Sequence, residues 1–240
     1  MEISRMTERG MASAGSDRRG FLRGAATAVA SVGAGVMFSG SAFAVQPHMR
    51  TRKAMPASLP PVGADIPCSM YAANVPLKLN AVGALTLDFK GGINLAVRTS
   101  SPDGLVLEVQ GFRVQADMSP SSPNSGTTVV LTKSDATLTP LSVLTSAGLL
   151  FVKLSLTASS IDKATGVETV LGTTDPAKYA TLTSVDTSGN QAPVKAFPPV
   201  NQSWALLEAA TLYAAGGSAA QGSEVVGTLQ GFHAIVNQSA

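Results

Sequence analysis

The chain has 240 residues with 17 lysines and arginines against 15 aspartates and glutamates, two histidines and one cysteine. One cysteine excludes an internal disulfide, and two histidines leave no material for a histidine-rich metal centre. The balance of charge argues against an electrostatic partner such as nucleic acid.

The first element in chain order is an unusual N-terminal run. Arg18 and Arg19 precede Gly20, Phe21, Leu22 and Arg23, and an uncharged Ala-, Gly- and Val-rich stretch then extends from Gly24 to Val45. The segment resembles the twin-arginine (Tat) signal peptide of bacteria, with Asp17 ahead of the arginines and Arg23 in the place of the usual lysine. Ala42-Phe43-Ala44 ends the run with the small-any-small pattern that a signal peptidase reads, so cleavage is expected after Ala44. The run is also long enough for an uncleaved anchor of roughly 20 residues. Its glycines and serines make it only weakly apolar, which favours processing.

The resemblance implies the Tat translocase and signal peptidase as partners during export. It also implies a periplasmic or secreted product with no stable membrane span once processed. The leader carries five of the basic and three of the acidic residues, leaving twelve of each in the mature chain. Residues 45–67 are expected to be a disordered linker, because they combine several prolines with the small basic cluster Arg50, Arg52 and Lys53.

From Cys68 to the C-terminus, roughly 170 residues are enough for one domain with a real core. Alternation with period two dominates it. Leu85, Leu87 and Phe89 share one face of a predicted strand, Gly91-Gly92 is expected to break it, and Ile93, Leu95 and Val97 resume the pattern. Ser101-Pro102-Asp103-Gly104 reads as a turn into Leu105, Leu107 and Val109. Val129 and Leu131 lie between threonines, and Leu150, Val152, Leu154 and Leu156 form another apolar face. Asp162 to Gly166 and Asp186 to Asn190 read as hairpin connections. Many short strands with such punctuation predict a mainly β antiparallel sandwich or barrel.

The segment from Trp204 to Tyr213 fits either a short helix within 203–215 or a buried strand. Val109-Gln110-Gly111-Phe112 and Leu229-Gln230-Gly231-Phe232 form a near repeat in which the apolar phase flips at the glycine. Each is expected to be a β-bulge at which glycine supplies a conformation costly for other residues. Four matching positions read as two bent strands and are too few to establish a duplication.

Chemistry-bearing motifs are absent from the sequence: it has no phosphate-cradling glycine loop, no His-Glu-x-x-His and no nucleophile elbow. The candidate catalytic groups are therefore isolated, His233 and Glu108, and the candidate ligand-binding groups are Arg98 and Arg113. Glu108 with Asp117, and Asp175 with Asp186, are the carboxylate pairs that folding could bring together. Asp103 and the 186–190 loop offer oxygens to calcium, without a full ligand set. No cofactor or metal is predicted. The expectation is a non-catalytic exported domain that binds or assembles through its sheet surface or loops, with a protein partner or a second copy among its partners. The alternative is a small β-barrel enzyme or apolar-ligand carrier with an internal pocket.

Overall fold

The structure is a computed structural model that describes residues 59–119, 124–134, 140–215 and 217–238. The leader residues Arg18, Arg19, Phe21, Leu22 and the Ala44 cleavage site lie outside the described residues, as does the basic cluster at 50–53. The strands are β1 (Asp65–Leu79), β2 (Gly83–Ser101), β3 (Gly104–Asp117), β4 (Thr127–Lys133), β5 (Leu141–Thr145), β6 (Leu150–Leu154) and β7 (Leu156–Asp162). They continue with β8 (Glu168–Thr174), β9 (Ala180–Val185), β10 (Gln202–Leu206), β11 (Ala210–Tyr213), β12 (Val225–Leu229) and β13 (His233–Val236). All pairings between these strands are antiparallel.

The hydrogen-bond ladder closes on itself twice. One circuit runs β1-β2-β3-β4-β7-β8-β11-β12 and returns to β1; the other runs β1-β2-β3-β5-β6-β9-β10-β13 and returns to β1. Both use the three long strands β1, β2 and β3 as a common spine, and their interiors form one apolar core. Closure leaves each of the thirteen strands paired on both sides, which removes the open edges that invite aggregation.

A strand that serves two circuits must re-aim its apolar face partway along, and the sequence shows where. In β1 the buried residues are Ile66, Cys68, Met70 and Ala72, then Val75, Leu77 and Leu79. The register with β2 slips between Ala72 and Val75, and Asn74 takes the left-handed conformation at φ 54°. Asparagine tolerates that region, and Asp88 Oδ1 accepts the Asn74 N–H at 2.8 Å. In β3 the slip falls at Gln110, since Asn94 opposes Gly111 while Leu95 opposes Val109. The bulge expected there is present. Its glycine is not forced, however, because a Cβ on Gly111 would meet nothing within 4 Å. The second copy is not a bulge inside one strand: Gln230, Gly231 and Phe232 carry the chain from β12 in one circuit to β13 in the other. The two phenylalanines of the repeat meet edge-on at the junction, with ring centroids 6.4 Å apart.

Three further expectations need correction. Gly91-Gly92 does not end a strand, and β2 runs through it with its inward phase unchanged. These glycines allow close backbone approach instead: a Cβ on Gly91 would lie 2.1 Å from the Arg113 carbonyl oxygen, and one on Gly92 would lie 2.7 Å from that of Cys68. The stretch 203–215 holds no helix, being β10, a turn at 207–209 and β11. Trp204 decides this, because its fully buried ring sits opposite Ala234 and Ser184, small neighbours that leave it room on the pleated surface. The linker also ends earlier than expected. β1 begins at Asp65, and Gly63 N–H already donates to the Val97 carbonyl at 2.8 Å. Proline is admitted there because Pro67 lies near the start of its strand, and Ile66 on the same stretch is core.

Candidate functional site

The catalytic and ligand-binding candidates lie on the outside of the barrels. Arg98 is the extra residue where the β2–β3 register slips between Val97 and Thr99, and it turns outward to form an ion pair with Glu108. With Arg98 about half exposed, that pair contributes little to stability. Arg113 is exposed, opposite Thr132 of β4, beside a shallow outer groove over Gly92 and Gly111. His233 is the exposed first residue of β13, opposite Ala205. Arg98 and Glu108 are brought together, and His233 and Arg113 join neither.

Each member of the two carboxylate pairs is engaged with other partners. Asp117 accepts the Thr128 hydroxyl at 2.7 Å and pairs with Lys163 at 3.0 Å, and these two contacts hold its carboxyl below the ordinary aspartate range. Asp175 Oδ1 accepts the Ala177 N–H at 2.8 Å, and its Oδ2 accepts the Ala219 N–H at 2.9 Å. Asp186 Oδ1 caps its own turn by accepting from Ser188 and Asn190. Among the described residues no cluster of three or more His, Cys, Asp or Glu is arranged to hold a metal ion.

At the junction of the two circuits the void is about 10 Å³, lined by Phe112, Leu131, Leu154, Leu182, Leu229 and Phe232 among other apolar residues. That is about the space of one water, and its lining offers such a water no polar partner. Cys68 is buried in the same core at 3% exposure, and this burial pushes its thiol above the ordinary range.

One concave site among the described residues is a cleft of about 230 Å³ lined by Asp175 and by part of the 204–213 stretch. Two connections make it. The chain crosses from β8 to β9 through Asp175–Tyr179, and from β10 to β11 through 207–209, so each connection passes between the circuits. The second is held beside the start of β9, where the Leu207 N–H donates to the Thr181 carbonyl at 2.8 Å. Asp175 holds the first connection by its amide contacts and anchors the 3₁₀ turn Ala219–Gln221 beside it. Ala180, Ala209 and Ala210 keep part of the lining small, Tyr179 and Tyr213 are half-buried in it, and Lys178 and Glu208 are exposed on it. The apparent helix formers of "WALLEAATLY" concealed this, since Glu208 stands among apolar residues and becomes a turn residue only when β10 and β11 join different circuits.

These features define a closed antiparallel β-barrel protein with two circuits on one spine, a packed junction between them and a cleft between crossover loops. No family model matches the chain, and no curated protein sequence matches it. Among solved structures it is similar to DynF from the dynemicin biosynthesis pathway of Micromonospora chersina, with a TM-score of 0.51 over 78% of this chain and 90% of that one. At 10% identity the likeness is one of fold alone.

Proposed function

We propose that this is an exported, non-catalytic binding protein of the cell envelope or extracellular space, and that it binds through the cleft between its crossover loops. The observation that carries the reading is the close packing where the two circuits meet: a carrier or barrel enzyme with an internal pocket needs on the order of 300 Å³ or more, against the void of about 10 Å³ at the junction. The dispersal of His233, Arg113 and the Arg98–Glu108 pair over the outer surface supports it further. Export rests on the resemblance of the first 44 residues to a Tat leader, which carries folded cargo. A protein dominated by pairings distant in sequence gains from folding before it is exposed to an unassisted environment.

The test is purification of the native protein from the exported fraction, followed by intact mass and metal analysis. The expected result is a chain beginning at Val45, free of stoichiometric metal or covalent cofactor, and lost from that fraction when Arg18 and Arg19 are both changed to lysine. A mature chain that begins at Met1, or one that carries a tightly bound cofactor, would overturn the proposal.

A further inference from the structure

Resting on the reading of the cleft as a binding site, we infer that its ligand is a small zwitterion, of the size and charge pattern of a free α-amino acid. Lys178 comes from one crossover and Glu208 from the other, and both line the same space of about 230 Å³. Two pairs of opposite charges on the surface have closed on each other, Arg98 with Glu108 and Lys163 with Asp117. Among the described residues neither Lys178 nor Glu208 forms an ion pair, so one cation and one anion face the cleft without neutralising each other. The third charged group, Asp175, already receives an amide N–H on each carboxylate oxygen and is occupied in holding the loop.

A simple anion would meet Lys178 but also Glu208 and Asp175, and a simple cation would face Lys178. A neutral sugar would draw on neither charge. A zwitterion satisfies both: its carboxylate is received by the ammonium of Lys178, and its ammonium by the carboxylate of Glu208. Tyr179 and Tyr213, half-buried in the lining, add aromatic surface of the kind that suits an ammonium group. Ala180, Ala209 and Ala210 leave room for a short side chain. The void that also borders Ala180 is about 10 Å³, too small to take a long apolar tail. The cleft is also smaller than the roughly 300 Å³ at which drug-sized sites begin, which selects a small solute.

Titration calorimetry of the mature chain tests this with L-alanine, L-glutamine and L-leucine. Each is compared with the amine lacking its carboxylate and the acid lacking its amine, and D-glucose serves as the neutral control. At least one amino acid is expected to bind saturably with one site per chain, and its two truncated analogues at least tenfold more weakly. Lys178→Met and Glu208→Gln should each weaken binding at least tenfold with an unchanged near-UV circular dichroism spectrum, because both side chains are exposed. Absence of amino-acid binding, equal binding of an amine or of glucose, or full affinity in both variants would overturn the inference. None of those results bears on the non-catalytic reading. That reading fails instead if mass spectrometry finds a bound amino acid converted to a new product, an outcome that leaves the zwitterion site standing.

Discussion

Replacing Phe232 with alanine tests the packed junction on which the functional reading depends. The ring is 4% exposed and contacts two others, Phe89 at 6.3 Å and Phe112 at 6.4 Å between centroids. Losing the burial of that side chain costs about 2.5 kcal/mol. The truncation also opens roughly 100 Å³, which at about 24 cal/mol per Å³ adds up to about 2.4 kcal/mol where the walls do not relax. The expected destabilisation is therefore about 3 to 5 kcal/mol, the lower figure applying if Leu229 and Phe112 partly collapse into the space. Urea unfolding followed by Trp204 fluorescence measures it as a fall in midpoint at constant slope. A dry apolar cavity of this size should also bind benzene and recover part of the lost thermal stability when benzene is present. A loss below about 1.5 kcal/mol, with benzene binding already present in the unaltered protein, would mean that the interior is open to ligands and would refute the reasoning.

Glycines that look alike in sequence should behave differently. Gly91→Ala places a Cβ against the Arg113 carbonyl and should cost about 2 kcal/mol or more, whereas Gly111→Ala meets open space and should stay within about 0.5 kcal/mol; paired urea curves decide it. The Asp162 carboxyl is held below its ordinary value by the N–H groups of Thr165 and Ala164, so its contribution to the β7–β8 turn is present above the unfolded pKa and lost as pH falls through the lowered folded one. Hydrogen exchange at Thr165 should therefore lose protection as the pH drops below ~3.9, and Asp162→Ala should show no such dependence. The Cys68 thiol, raised by burial, should resist alkylation at pH 8 in the folded protein and react at once in urea; equal reaction in both states would contradict its place in the core.

The period-two alternation of β2, β3 and β6 was legible before any folding, because a residue that must face a core is apolar whatever strand it opposes. The phase slip at Gln110-Gly111 was legible for the same reason, since an inserted residue moves every later side chain to the other face. Turns at Asp162 and Asp186 could be read from residues that satisfy their own loop amides. What the chain alone could not disclose was the choice of partners. Trp204 to Tyr213 suits a helix or a strand until Ala234 and Ser184 are placed beside Trp204, and Gly91-Gly92 looks like a break until the backbones of β1 and β3 press against it. The cleft was hidden on the same ground. Lys178 and Glu208 lie on loops thirty residues apart, and they share a wall only because the ladder closes twice and sends both loops across the same seam. Burial along a strand is a local property of each side chain, whereas strand order is settled by the competition among all possible pairings, and the site is a consequence of that order.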